Sequence, residues 1–186
     1  MAIVTVSDFL DYVDSEIAAN QAHCEAALAA AELAVQHYCR RPFSSPATSA
    51  TARIFDEHTG AVLEVDEFTD ITGLIVDNDG TIIAAVDYRL EPIDALQYGI
   101  AAPYSQIRLL NGASWADEVT VTAKWGWVAA DVKFAVLLLA KDFASLRETR
   151  FGVAGWGEFG VSRIRENPSV MNLLAPHVRW DRAGVA

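Results

Sequence analysis

The chain has 186 residues, of which 52% are hydrophobic and 21% are charged, so it can bury a sizeable core and is not disordered. Its apolar runs are shorter than a membrane span, and no basic segment precedes an apolar one at the N-terminus, so we expect neither a transmembrane helix nor a secretion signal. The formal net charge of −11 argues against a surface that grips nucleic acid.

The charge is unevenly distributed along the chain. Residues 1–132 hold six Lys and Arg against 20 Asp and Glu, a net charge of −14, whereas residues 133–186 hold eight against five, a net charge of +3. The basic end is the part suited to an acidic partner. Charged surfaces are usually only solvated, however, so this feature alone identifies no partner.

Two helices are predicted in residues 1–43. Thr5 and Asp8 have the spacing of a capping box before a short first helix. A long Ala-rich helix follows and ends before Pro42, because proline cannot continue a helix; its apolar stripe is Cys24, Leu28, Ala31, Val35 and Tyr38. On one helix Cys24 and Cys39 lie roughly 22 Å apart, too far for a disulfide, so we expect reduced thiols.

Residues 44–50 are rich in Ser, Thr and Pro and are predicted to be a linker. Short segments rich in β-branched residues then alternate with turn signals up to Trp127, which is typical of a small antiparallel sandwich or barrel-like module. The predicted strands are Thr51–Phe55, Ala61–Val65, Leu74–Val76, Thr81–Ala85, Asp87–Leu90, Gln106–Leu110 and Val119–Ala123.

The stretch after the last strand organises the remainder of the chain. Gly126 lies between Trp125 and Trp127 and permits a sharp turn, so we expect these three residues to form a core at the domain junction. Asp131 is the predicted N-cap of a central helix that is apolar on most of its circumference and is therefore buried on more than one side.

The last third of the chain continues with a glycine-rich segment, 151–160, and a short helix from Pro168 to Leu174. The predicted fold class is α+β. It is a helical bundle, made of the N-terminal helix pair, the central helix and the short C-terminal helix, with the β module inserted. The predicted domains are 1–43, 51–127 and 131–186.

No constellation of catalytic residues is found, and we predict that the chain is not an enzyme and has no cofactor or metal. Ser114 lies in a sequence that lacks the second glycine and the following helix of a nucleophile elbow. Asp77, Asp79 and Gly80 lack the third ligand and the later glutamate of a calcium loop, and a hairpin turn explains them better. The acidic residues near Asp66 are best explained as a solvated face.

The tryptophans leave a further alternative open. Trp115, Trp125 and Trp127 are residues of the kind that stack on sugars in carbohydrate-binding β modules, although core packing is the better explanation for Trp125 and Trp127. Trp156 is different, because it is a bulky aromatic among glycines and is a candidate anchor into another subunit.

The order of these features resembles the head-to-tail adaptor (connector) proteins of tailed bacteriophages, in the form with a β module inserted between helices. The residues that carry the resemblance span nearly the whole chain: 37–43 (HYCRRPF), 71–76 (ITGLIV), 87–92 (DYRLEP), 119–122 (VTVT) running into 125–127 (WGW), the helix from Asp131, 151–155 (FGVAG) with 158–160 (EFG), and 173–176 (LLAP).

The resemblance implies a structural protein of the virion neck, assembled in the cytoplasm of the bacterial host. Such adaptors form a dodecameric ring under the portal protein, extend the DNA channel, and provide the platform for the tail or for a stopper (tail-completion) protein. DNA would pass through without specific binding, which suits an acidic chain. A stopper or tail terminator is the nearest alternative, and a ligand- or carbohydrate-binding β module is the more distant one.

For the contact with the portal or a neighbouring subunit we expect the region from Phe151 onwards, where aromatic side chains offer area to bury and arginines can meet an acidic surface. Packing of these aromatics on the subunit's own central helix is the alternative. The predicted interface residues are Phe151, Val153, Trp156, Phe159, Arg163, Arg165, Leu173, Leu174, Arg179, Trp180 and Arg182.

Overall fold

The computed structural model of the chain describes residues 2–13, 20–97, 99–110, 112–145, 165 and 167–179. It divides into two compact units, one formed by Met1–Ser45 with Val128–Ala186 and the other by Pro46–Trp127. The first is helical and the second is a β unit, so the predicted α+β class is confirmed. Among the described helices, none is both long enough and apolar enough to cross a bilayer.

The described part of the helical unit contains four α-helices: α1 (Val6–Tyr12), α2 (Gln21–Cys39), α3 (Ala130–Ser145) and α4 (Pro168–Leu174). α2 packs along α3, while α1 contacts α2 and α4 contacts α3. α1 and α4 have seven residues each, about 10 Å of helix, against 19 and 16 in α2 and α3. The predicted bundle is therefore not supported as described, because two of its helices are too short to run alongside the others.

Local sequence signals account for the helix ends. The capping box at α1 is present, with Thr5 and Asp8 each bonding the other's backbone N–H. α2 ends where Arg40 adopts a left-handed conformation, before Pro42 is reached. Asp131 was predicted to be the N-cap that precedes α3, but it lies inside the first turn of this helix. Its Oδ1 atom accepts a hydrogen bond from the backbone N–H of Val132 at 2.9 Å.

The core of the helical unit consists of the facing sides of α2 and α3 with residues from both chain ends. Its buried residues on α2 and α3 are Cys24, Ala27, Leu28, Ala31, Ala34, Val35, Cys39, Val132, Ala135, Val136, Leu139, Ala140, Phe143 and Ala144. Three of the alanines of α2, Ala27, Ala31 and Ala34, belong to this core, where a small side chain lets two helices approach closely. Phe134 on the other side of α3 is 45% exposed, so that helix is buried over only part of its circumference.

The β unit contains nine strands in its described residues: β1 (Thr51–Phe55), β2 (His58–Thr59), β3 (Val62–Asn78), β4 (Thr81–Ile82), β5 (Tyr88–Glu91), β6 (Leu96–Gln97), β7 (Ile100–Ala101), β8 (Tyr104–Leu109) and β9 (Val119–Trp125). Seven of them form one sheet of antiparallel pairs in the order β1-β9-β3-β8-β5, with β2 and β4 beside β3. β6 and β7 form a separate hairpin. The pairing path is open at β1 and β5 rather than closed on itself.

β3 differs most from the sequence-based expectation. Two strands, Ala61–Val65 and Leu74–Val76, were predicted here, yet a single strand runs through both for 17 residues. Its first part pairs with β8 and its second part with β9, with register shifts on both sides of Asp70. Two of its acidic residues meet cations of other strands, since Asp66 forms an ion pair with Arg53 and Asp70 with Lys124.

Candidate functional site

Of the eleven predicted interface residues, the structure describes four. Arg165 is exposed, Leu173 and Arg179 are partly exposed, and Leu174 is 0% exposed in the core of the helical unit. Leu174 is therefore unavailable for a contact on the surface of the folded subunit. The other seven lie outside the described residues: Phe151, Val153, Trp156, Phe159, Arg163, Trp180 and Arg182.

The segment that carries Leu173 is fixed on the helical unit from both of its ends. Asn167 caps α4 by accepting from the backbone N–H groups of Ser169 and Val170, and its side-chain amide donates to Oδ2 of Asp142 on α3 at 3.3 Å. After α4, His177 is only 4% exposed, and its Nε2 atom lies 2.8 Å from the Oδ2 atom of Asp131.

Two further contacts hold the residues around His177. The ring of Phe43 meets the imidazole edge to face, at 6.5 Å between centroids. The backbone N–H of Arg179 donates to the carbonyl of Cys39 at 3.0 Å. The segment from Asn167 to Arg179 is thus an ordered part of the subunit, and a partner would meet it as a preformed surface.

Cys39 is close to this cluster but is not suited to nucleophilic chemistry. Its side chain is 0% exposed, and burial raises the pKa of the thiol to about 12. Since the thiolate is the reactive form of cysteine, the thiol is unreactive near neutral pH. Cys24 is also fully buried, and burial likewise raises its pKa. Both cysteines are free, in agreement with the sequence-based expectation.

The predicted junction residues begin in the core of the β unit. Trp125 is 4% exposed, donates its indole N–H to the carbonyl of Thr51 at 2.7 Å, and packs against Phe55 and Phe68. Gly126 follows with a φ of 112°, a backbone angle that other residues rarely adopt. Its N–H donates to the carbonyl of Glu67 at 2.8 Å, which fixes the turn after β9. Trp127 is 9% exposed.

The buried tryptophans disfavour one alternative for the β unit. Trp115 is 6% exposed and donates its indole N–H to the carbonyl of Ala61 at 2.9 Å, as Trp125 does to Thr51. A sugar-stacking platform needs an exposed ring face, whereas these two rings belong to the hydrophobic core of the unit. Neither indole is available to a glycan in the folded chain.

The two loops considered for chemistry have structural explanations. Asp79 and Gly80 have φ angles of 52° and 82° and form the two-residue turn between β3 and β4. The loop at Ser114 is held by Asn78, whose side chain donates to the carbonyl of Ser114 and accepts from the N–H of Ala116. Among the described residues, no group of three or more His, Cys, Asp or Glu side chains is arranged to hold a metal ion.

The most distinctive chemical feature of the β unit is its charge. Residues 46–127 contain 13 Asp and Glu but only four Lys and Arg, a net charge of −9. Each of the four cations is engaged by a carboxylate: Arg53 by Asp66, Lys124 by Asp70, and both Arg89 and Arg108 by Glu91. Sequence counting gives the excess of carboxylates, but only the structure shows that the cations are occupied.

Two of these carboxylates, Asp70 and Glu91, have pKa values lowered by their cations. The hydrogen bond from Lys124, followed by that from the backbone of Thr72, lowers the pKa of Asp70 to about 2. Arg108 and then Arg89 lower the pKa of Glu91, and Glu91 in turn raises that of Arg108. Asp70 and Glu91 therefore stay ionised at physiological pH, so Lys124, Arg89 and Arg108 face charged partners.

Glu91 pairs with two arginines at once, Arg89 and Arg108. Its Oε1 atom lies 2.7 Å from Nε of Arg108 and 2.8 Å from an amino group of Arg89, and its side chain is 17% exposed. A less exposed pair is less screened by salt than one in open solvent. This edge of the sheet therefore offers no isolated positive charge to a phosphate.

Comparisons with known proteins add no assignment to this geometry. No protein-family model matches the sequence, and no curated protein matches it at a significant level.

Proposed function

We propose that the chain is a structural head-to-tail adaptor of a tailed bacteriophage. Copies form a ring under the portal protein, extend the DNA channel, and provide the docking platform for the tail or for a stopper protein. The organisation expected for such an adaptor, a β module between N-terminal and C-terminal helical segments, has its counterpart in the two units of the chain. The chain acts in the neck of the virion and needs no cofactor.

The observation that carries the proposal is that every Lys and Arg side chain of the β unit forms an ion pair with a carboxylate. A channel for moving DNA must not hold the duplex, and affinity for DNA comes mainly from free Lys and Arg that displace counterions. Here 13 carboxylates accompany four cations, and each cation already has a carboxylate partner. Such a wall repels phosphate and gives the duplex nothing to bind.

The portal contact is proposed for the part of the chain from Phe151 onwards. Within it, the structure supports Arg165, Leu173 and Arg179 as surface residues, because each is at least partly exposed and the segment 167–179 is fixed on the subunit. Leu174 supports this surface from inside, since it is buried beneath it. A preformed surface binds with less ordering cost than a flexible one.

The test is assembly with the portal protein encoded by the same phage. The chain and that portal are co-expressed, purified together and imaged by negative-stain electron microscopy, and we expect an additional ring on one end of the portal. A chain that stays monomeric and does not co-purify with its portal would contradict the proposal.

Two variants locate the contact. Truncation after Arg179 removes the last seven residues while keeping the buried His177, and Trp156→Ala removes one predicted anchor; both are expected to reduce co-purification with the portal at least tenfold. Phe134→Ala, which removes an aromatic that is 45% exposed on α3, is the matched control and should leave attachment unchanged. Normal attachment of both test variants would remove the C-terminal region from the interface.

A further inference from the structure

The main sheet of the β unit ends in two open edges. Within the described strands, β1 pairs only with β9, and β5 pairs only with β8. Both of these pairings are regular, without the register shifts found along β3. Residues 51–54 of β1 are exposed, and Ile54 reaches 66%. An open edge presents unpaired N–H and C=O groups, which makes it a template for a strand of another chain.

The two edges have the same strand direction. The path from β1 to β5 contains five strands, and each neighbouring pair is antiparallel, so β1, β3 and β5 all run the same way. If β1 of one copy lies beside β5 of another with the core faces on the same side, the two strands form a parallel pair. That contact joins two different surfaces, so it repeats from copy to copy and generates a ring or a filament.

The hydrophobic core also extends to both edges and stops at half-buried side chains. On β1, Phe55 lies opposite the fully buried Val119; on β5, Leu90 lies opposite the fully buried Ile107. Phe55, Leu90 and Tyr88 are all partly buried against the same core cluster. Joining the edges would place these side chains next to one another on one continuous face and would complete their burial.

A symmetric pairing of two β1 strands is less favourable. Arg53 is the central residue of the five in β1, so an antiparallel pair that uses the whole strand places Arg53 opposite its own copy. Like charges directly opposite each other destabilise a sheet. Pairing with β5 avoids this contact between two Arg53 side chains, whose charge is only partly offset by the exposed ion pair of Arg53 with Asp66.

We propose that β1 of one copy adds to β5 of the next copy as a parallel strand, so that neighbouring subunits share a continuous sheet. The occupant of each open edge is thus a second copy of this chain. The closure of the series into a ring rests on the proposed function, whereas the edge contact itself does not.

Disulfide trapping tests the contact directly. The two native cysteines are 0% exposed, so a cysteine added on the surface is the accessible one. Ile54→Cys marks β1 and Arg89→Cys marks β5, on the outer face in each case. The two full-length variants, one carrying a tag that changes its mass, are oxidised mildly at high concentration, separately and as a mixture. We expect the tagged and untagged chains to join in the mixture and neither variant to form dimers alone.

Three other trapping results overturn the proposal. Dimers from Ile54→Cys alone indicate pairing of two β1 strands, and dimers from Arg89→Cys alone indicate pairing of two β5 strands. Absence of any dimer at concentrations where the unmodified chain self-associates places the contact elsewhere. Rings on the portal without the mixed dimer would refute the edge contact and leave the adaptor function standing. Mixed dimers without portal attachment would support the edge contact and contradict the adaptor function.

A second pair of variants separates the edge from the outer face of the sheet. Ile54→Lys places a charge at the open edge, a substitution that blocks strand addition, and it is expected to abolish self-association. Ile75→Lys changes a residue that is 45% exposed on the inner strand β3 and should leave self-association intact. Retained association of Ile54→Lys, or equal loss in both variants, would contradict strand addition.

Discussion

The Oδ2 atom of Asp131 lies 2.8 Å from Nε2 of His177, 46 residues further along the chain. The other carboxylate oxygen accepts from the backbone N–H of Val132 at 2.9 Å, in the first turn of α3. One side chain therefore satisfies a backbone donor at the start of α3 and holds the segment that follows α4. Because His177 is 4% exposed, its imidazole has little access to water as a substitute partner.

Loss of this pair should destabilise the helical unit. We expect Asp131→Ala and His177→Ala each to lower the free energy of unfolding by about 2 kcal/mol, since each leaves a polar partner behind and the second also opens a cavity. The double variant should cost less than the two single effects added together, by about 1 kcal/mol. Urea unfolding followed by far-UV circular dichroism measures all three. Asp11→Ala, which removes an exposed carboxylate on α1, is the control.

The His177–Asp131 pair also shows what the sequence could not reveal. The local pattern predicted α4 with its correct ends, Pro168 and Leu174, and the structure shows Asn167 as its cap and Pro168 in its first turn. It also predicted the capping box at Thr5. Each of these helix-start signals consists of residues that are close together in the sequence. The partner of His177 depends on the packing of α3 against α4, which no short-range pattern encodes.

β3 was missed for a related reason. The sequence predicted two strands, Ala61–Val65 and Leu74–Val76, and a solvated acidic face near Asp66, because acidic residues are depleted in strands. Backbone pairing with β8 and β9 makes one strand of this region, and Asp66 and Asp70 form ion pairs with Arg53 and Lys124 on other strands. Strand register and cross-strand partners depend on the tertiary fold. Here they determine both the length of β3 and which carboxylate pairs with each cation.

The two cysteines should be inert in the folded protein. Burial raises the pKa of both thiols, that of Cys39 to about 12, and both side chains are fully buried. An aromatic disulfide reagent at pH 8 should therefore label neither cysteine until denaturant is added, and should then label both. Ile54→Cys is the positive control, since its added thiol is exposed and should react within minutes. Labelling of two thiols in the native unmodified protein would contradict the buried placement.

The Asp70–Lys124 pair predicts a pH dependence of stability. The folded-state pKa of Asp70 is lowered to about 2 by Lys124 and by the backbone of Thr72, against roughly 3.9 for an unfolded chain. A depressed folded pKa stabilises the fold above the unfolded pKa, and that contribution is lost as pH falls from about 4 to about 2. Asp70→Asn should therefore be less stable than the parent near pH 6, and the two should converge near pH 2.

Thermal unfolding at several pH values between 2 and 6 measures this difference. Asp117→Asn removes an exposed carboxylate and is the matched control, whose curve should stay parallel to that of the parent. A constant difference between Asp70→Asn and the parent across this range would show that the carboxylate does not keep its low pKa through Lys124.

The occupied cations of the β unit predict how DNA binding can be created. The unmodified chain should bind duplex DNA negligibly at physiological salt. The triple variant Asp66→Asn, Asp70→Asn, Glu91→Gln releases Arg53, Lys124, Arg89 and Arg108 from their carboxylates. We expect measurable binding at 50 mM salt. A plot of log K against log[salt] should have a negative slope of about 0.9 for each phosphate that the protein contacts.

The matched control separates the release of cations from the change in net charge. Asp56→Asn, Glu57→Gln and Asp117→Asn remove three exposed carboxylates and change the net charge by the same three units, but they leave all four ion pairs intact. Fluorescence anisotropy with a labelled 20-base-pair duplex compares the two triple variants. Equal gains in both would mean that net charge alone keeps DNA away, whereas binding by the first variant only means that the paired arrangement of the cations does so.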